Sequence, residues 1–243
     1  MTLPTTILAL VVLVALSYLV LRLLGVESPR TQPWAIARAV LQLGILSVIL
    51  GGVITSTVWV AVFLVVMVVA ATWTVMRRLR LPALWAFPVA ATLVVAAAVP
   101  VGIVFGTGAL EPSARYLLAI SGIVIGGAMT VATLMGRGVA AAYLSQRDEI
   151  EGWLALGATP RRAALRAVRQ AASTALIPAT DQAKTAGLVT LPGAFVGAIF
   201  GGASPLDAAQ FQVVVLAAVL AAGASSVACL FWLLGAPKQL PLS

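Results

Sequence analysis

The residues best suited to chemistry lie in one polar stretch, Ser145-Gln-Arg-Asp-Glu-Ile-Glu-Gly-Trp-Leu-Ala-Leu-Gly-Ala-Thr-Pro160. Ser145 followed by Asp148 has the form of a helix-capping box. Asp148, Glu149 and Glu151 then crowd a first turn, where carboxylates meet the positive end of the helix dipole. Ile150, Trp153 and Leu154 fall on one face at helical spacing. Gly157 suits a left-handed stop, Thr159 can cap a following helix, and Pro160 fits that helix's first turn. The second helix is expected from Pro160 to about Ile177. It sets Arg162, Arg166 and Arg169 beside a stripe of Leu165, Val168, Ala172 and Leu176, as in a basic amphipathic helix at a membrane surface. An apolar face with a polar rim is what helix-in-groove docking needs. The stretch reads either as a short helix gripped by a cytoplasmic ATPase or as a solvated loop whose arginines fix topology.

A second set of candidates consists of polar groups within apolar runs, where they are costly and tend to be functional. Gln42 lies in the second run, and Met129 and Thr130 lie in the fifth. Asp181 and Lys184 stand three apart at the expected inner end of the sixth and can pair on one helix face. Each has a plainer alternative. Gln42 either bonds helix to helix or lines a pathway; the Asp181–Lys184 pair is either structural or a gate. Met129 and Met135 either pack or offer soft metal ligands. Leu191-Pro192-Gly193 interrupts the sixth run, and proline frees a backbone carbonyl. Such breaks are tolerated where they face protein or a water-filled path, so Pro192 and Gly193 are expected at a pathway or at a packing kink.

Other chemistry is missing from the sequence. There is no histidine and one cysteine, Cys229, which excludes an internal disulfide and zinc-type sites; metal ligands are otherwise unknown. No phosphate-binding Gly-rich loop precedes a Lys-Ser/Thr. No cofactor is expected in this chain, and ATP and Mg would be bound by a partner ATPase. No carboxylate pair or Ser-His arrangement suggests an enzyme.

The elements that must carry these residues are membrane spans. Hydrophobic residues make up 62% of the 243 and charged residues 9%, against about 25% charged in a soluble domain. The mean hydropathy of +1.11 makes lipid the expected solvent. The expected fold is all-α, a polytopic helical membrane protein in one domain, 1–243, with a cytoplasmic loop of about 140–182. About seven spans of roughly 20 residues are read: Thr5–Leu24, Ile36–Ile54, Thr57–Met76, Leu84–Phe105, Tyr116–Val139, Ala183–Phe200 and Ala208–Leu234. Arg22, the first charge, follows the first apolar run, unlike the order of a secretory signal, and favours a retained helix with its N-terminus outside. Arg22, Arg30, Arg38, Arg77, Arg78, Arg80, the arginines of the long loop and Lys238 then all fall inside, which also puts the C-terminus inside. This asymmetry explains the net charge of +8 without nucleic acid as a partner. The implied location is the cell inner (plasma) membrane, multi-pass.

Glu149-Ile-Glu-Gly-Trp-Leu-Ala-Leu-Gly-Ala-Thr-Pro-Arg-Arg-Ala163 resembles the "EAA" loop of ABC permeases. A longer set of pieces is similar to the FetB-type permeases linked to iron export, whose plant relatives are linked to aluminium tolerance. These are Arg38-Ala-Val-Leu-Gln-Leu43, Ile150 through Pro160, Ala175-Leu-Ile-Pro178, Lys184 through Gly193, and Gly201-Gly-Ala-Ser-Pro205 with Gln212 after it. They span most of the chain. The resemblance implies a permease subunit of an ABC transporter, a homodimer in the lipid bilayer, with a separate ATPase contacting Glu149, Ile150, Glu151, Trp153, Leu154, Leu156, Gly157, Ala158, Thr159, Pro160 and Arg161. It implies export of metal ions, with iron the ion linked to the FetB-type permeases. The alternative is a secondary transporter or channel that needs no ATPase. Similar permeases often carry Gly-Asn where this chain has Gly126-Gly127, and methionines where it has Ala194-Phe195.

Overall fold

The computed structural model describes residues 3–53 and 56–236. Ile54 and Lys238 lie outside the described residues. The chain divides into two compact units, 1–56 and 57–243.

The first unit is a hairpin of α1 (Leu3–Leu23) and α2 (Thr31–Val53). Its turn uses two left-handed residues, Gly25 and Ser28. The Thr31 hydroxyl donates to the Ser28 carbonyl at 2.7 Å, and the Ser17 hydroxyl donates to Gln32 Oε1. Almost every side chain of the hairpin is exposed.

The second unit holds α3 (Thr57–Leu79), a 3-10 turn (Ala83–Trp85), α4 (Ala86–Gly106), α5 (Ala114–Ser145), α6 (Arg147–Ala155), α7 (Pro160–Ala163), α8 (Leu165–Thr185), α9 (Gly193–Phe200) and α10 (Pro205–Leu234). α5 is central and packs against α3, α4, α8 and α10. Small residues allow close approach: Ala171 lies against Gly138, Val219 against Gly127 and Leu176 against Gly223.

The protein is an all-α, polytopic helical membrane protein. Among the described residues, six helices are long and apolar enough to cross a bilayer: α1, α2, α3, α10, α5 and the stretch of α4 with its 3-10 turn. The seventh expected span, Ala183–Phe200, is not one helix. It holds the end of α8, a turn with Gly187 at φ 85°, and the 8-residue α9. α5 and α10 run parallel: Tyr116 meets Phe211 at 5.6 Å between ring centroids, and the Tyr143 hydroxyl donates to the Leu234 carbonyl at 2.5 Å. The chain between them must therefore return along the bundle, and α8 makes that return. Its Ala171 faces Gly138 and its Leu176 faces Gly223, and its Gln182 reaches the level of Gly126. The segment of about 140–182 is largely helical. Residues up to 145 belong to α5, and those from 165 belong to α8, which continues past Ile177 to Thr185.

Candidate substrate pathway and coupling surface

α8 is amphipathic in a way that fits neither a lipid-facing span nor a surface helix. Ala164, Ala167, Val168, Ala171, Ala172 and Ala175 are buried against the neighbouring helices. The opposite face exposes Arg166, Arg169, Gln170, Ser173, Thr174, Asp181 and Lys184. At 1.5 Å per residue, the 32 residues of α5 span about 48 Å, longer than a hydrocarbon core of about 30 Å. Gly126 to Thr130, which α8 reaches at Gln182, lie halfway along it. Asp181 and Lys184 therefore sit deep along the bundle, at the end of α8 away from the arginine-rich loop, and not at the inner end of a sixth span. They pair at 3.8 Å with side chains 60% and 70% exposed. In lipid such exposure is costly, so this face requires water or another polar surface.

Between α5, α8 and α10 lies a cavity of about 250 Å³, lined by Gly126, Gly127, Thr130, Pro178, Gln182 and Gln212 among apolar neighbours. Thr130, a sequence candidate, is on its wall, where its hydroxyl donates to the Gly126 carbonyl at 3.0 Å. Gln212 Oε1 is buried without a hydrogen-bond partner, which costs about 1–3 kcal/mol. The sequence reading used Gln212 only as part of a resemblance. The signal that selected Gln42, an amide in an apolar run, applied equally to Gln212.

The other candidates are dispersed. Gln42 is exposed on α2 in the first unit. Met135 is fully buried and Met129 packs against the core, so both behave as packing residues. Pro192 occupies the N-cap position of α9 and Gly193 begins that helix, so Pro192 starts a helix and does not kink one. The proline inside α8 is Pro178, whose missing amide hydrogen leaves the Thr174 carbonyl without its helical donor. Among the described residues, no group of three His, Cys, Asp or Glu side chains could hold a metal ion.

The candidate coupling surface is built by α6, the turn and α7. Gly157 has φ 84°, and Thr159 accepts from the Arg162 amide with Pro160 in the first turn of α7. The expected capping box does not form. α5 runs through Ser145, whose hydroxyl donates to the Ala142 carbonyl, and α6 starts after Gln146. Ile150 is 1% exposed, so it anchors α6 inward and leaves the docking face. That face presents Trp153, Leu154 and Leu156, the last 82% exposed, beside Glu149 and Glu151. Arg166 Nη1 lies 3.1 Å from Glu149 and Gln146 donates to Gln170 at 2.8 Å, bracing α6 on α8. Arg147 meets Glu151 at 2.7 Å, a hydrogen bond that raises the guanidinium's already high pKa. Arg161 stacks 4.0 Å from the Trp232 ring centroid and donates to the Trp232 carbonyl at 3.1 Å, tying α7 to the end of α10.

The model of the family described as "Uncharacterised protein family (UPF0014)" matches residues 4–237. The chain belongs to the UPF0014 family. The rice UPF0014 membrane protein STAR2 is 37% identical over 80% of this chain and 68% of its own length. ALUMINUM SENSITIVE 3 of Arabidopsis thaliana is 32% identical over 75% of this chain and 68% of its own length. The Escherichia coli protein named "Probable iron export permease protein FetB" is 30% identical over 81% of this chain and 77% of its own length. No solved structure matches this UPF0014 chain. The family and the apolar helices make it a multi-pass membrane protein.

Proposed function

We propose that this chain is the membrane-spanning permease subunit of an ABC-type transporter, that it works as a homodimer in the cell's inner membrane, and that a separate ATPase drives it. The observation that carries the reading is α8. Its polar face runs from the braced coupling helix α6 to the cavity at Thr130, Gln182 and Gln212. Lipid cannot solvate that face, whereas an aqueous path between two copies would. ATP-driven movement of the partner would press on Trp153, Leu154 and Leu156 and act through the Glu149–Arg166 brace on α8. Such a switch needs two states separated by only a few kcal/mol. The cargo this reading favours is a metal ion moving outward, iron being the ion in the name of the E. coli relative. The metal would be substrate, since no metal-holding cluster is found among the described residues.

The test is co-purification followed by transport. Mild-detergent extraction should recover a stoichiometric ABC-type ATPase. Inside-out vesicles holding both proteins should take up Fe²⁺ only with ATP. Uptake that continues without the ATPase would favour a secondary transporter or channel instead.

A further inference from the structure

A second cavity, of about 220 Å³, lies where helix ends meet on the α6 side of the bundle. The end of α3, the start of α4 with its 3-10 turn, and the last turns of α5 and α10 enclose it with Leu79, Trp85, Val89, Val139 and Leu230. Its two hydroxyls have already donated their protons, Thr92 to the Pro88 carbonyl at 2.9 Å and Tyr143 to the Leu234 carbonyl at 2.5 Å. Water in such a space needs two to four polar partners, and an apolar cavity of about 150 Å³ stays dry and takes up a benzene-sized guest. The lining therefore selects an apolar group, and an empty space would forfeit dispersion contacts on every wall. Ala140 and Leu233 also line the cavity, and both are exposed, so the space opens on the surface of the bundle. A centred α5 leaves roughly six residues beyond the hydrocarbon core at each end. Val139 and Ala140 then stand at the boundary between acyl chains and headgroups.

The charge beside the cavity says which molecule brings the apolar group. α3 ends in a paired-bond cap: the Leu81 amide donates to the Met76 carbonyl at 3.0 Å and the Arg80 amide to the Arg77 carbonyl at 3.4 Å. The left-handed position of such a cap is usually glycine; here it is Arg80, at φ 52°. Its neighbours Leu79 and Leu81 line the cavity, while Arg80 itself is exposed. Backbone preference argues against arginine there, so the guanidinium needs another reason. Arg77 and Arg78 occupy the last turn of the same helix, and Arg137 stands one turn before Ala140 on α5. Among the described residues none of these four arginines forms an ion pair, and no carboxylate lines the cavity. We propose that the cavity holds one acyl chain of an anionic phospholipid from the leaflet on the α6 side, with the phosphate held by the arginines around Arg80. Basic clusters beside apolar clefts between spans suit such headgroups. The chain fills the space beside the Tyr143–Leu234 bond, close in sequence to the Arg161–Trp232 contact, and so supports the joint between α5, α7 and α10. The site is separate from the pathway and does not depend on the permease reading.

Tryptophan quenching of the full chain in phosphatidylcholine nanodiscs tests this. The discs are doped with brominated phosphatidylglycerol or, separately, with brominated phosphatidylcholine, and a brominated chain in the cavity quenches Trp85. Brominated phosphatidylglycerol should give a saturable component at low mole fraction, above the proportional quenching of tryptophans that face bulk lipid. Trp85→Phe should remove that component, and so should Ala140→Phe, which fills the mouth. Arg80→Gly installs the usual residue of the cap and keeps the fold; it should raise the half-saturating fraction about fivefold, the contribution of one arginine at an anionic surface. Quenching that is only proportional to mole fraction, or equal for the two headgroups, would overturn the proposal. A saturable component that survives Trp85→Phe or Ala140→Phe, or a half-saturation indifferent to Arg80→Gly, would do the same. Trp85 beyond the reach of both brominated lipids would show the cavity covered by protein, a second copy included, and would also overturn it. The measurement needs neither ATPase nor cargo, so a failed transport experiment would leave its result readable.

Discussion

α4 and α8 are both 21 residues long and both carry an internal proline, and each packs against α5. Their exposed faces differ in polarity, although α8 also exposes Ile177. α4 exposes Phe87, Val94, Val95, Val99 and Ile103, while α8 exposes Arg166, Ser173, Thr174, Asp181 and Lys184. Pro100 of α4 is fully buried in the core, whereas Pro178 of α8 lines the cavity. Two helices against the same central element, similarly long, thus present opposite surfaces to their surroundings. Exposure means contact with apolar surroundings for α4 and contact with water or a polar partner for α8. On the proposed reading, that difference puts the pathway beside α8.

The sharpest way to break the comparison is to put the same charge on both helices. Val95→Arg on α4 should cost about 2.5–3.5 kcal/mol of membrane insertion, seen as lost expression and a lower Tm. Ser173→Arg on α8 should stay within about 0.5 kcal/mol of the parent. Equal costs would erase the distinction.

Smaller effects sharpen the comparison at the N-terminal end of α8, which is braced to α6. Gly157→Val forces a β-branched residue to φ 84°, at a cost of about 1–2 kcal/mol or more. It should uncouple ATP hydrolysis from transport, with transport falling at least tenfold while hydrolysis persists. Arg161→Ala removes the stacking on Trp232 and should lower stability by about 1 kcal/mol, measured by denaturation in detergent. Glu149→Gln breaks a partly exposed bridge, for less than about 1 kcal/mol, and its effect should shrink as salt rises. Its larger consequence should be weaker coupling at unchanged Tm.

The apolar spans were legible because a lipid-facing helix must be hydrophobic around most of its surface, and α1, α3, α4 and α10 begin and end near the expected residues, while α2 starts before Ile36 and α5 runs past Val139 to Ser145. α8 was read only to Ile177, as a surface helix, because its alanine-rich buried face and arginine-rich outer face resemble an interfacial sequence. What carries it along α5 is packing of Ala171 on Gly138 and Leu176 near Gly223, and no single-sequence period reports such pairing. Gly157, Thr159 and Pro160 behave as their backbone preferences dictate. Ser145 does not, because α5 continues through it and leaves no free turn to cap. Ile150 shares a face with Trp153 and Leu154 by spacing, but the direction it points depends on how α6 folds back on the bundle. Gln212 was within reach of the sequence, since an amide in an apolar run has few reasons to be there.

The most direct test of α8 as the wall of an aqueous path is thiol accessibility along the two helices. In a Cys229→Ala background, Ser173→Cys, Ile177→Cys and Asp181→Cys on α8, and Val94→Cys, Val95→Cys and Val99→Cys on α4, are each exposed in membranes to a water-soluble, lipid-insoluble maleimide. Rapid labelling of the α8 positions with none on α4 is the expected result. α8 thiols as unreactive as those of α4 would contradict it.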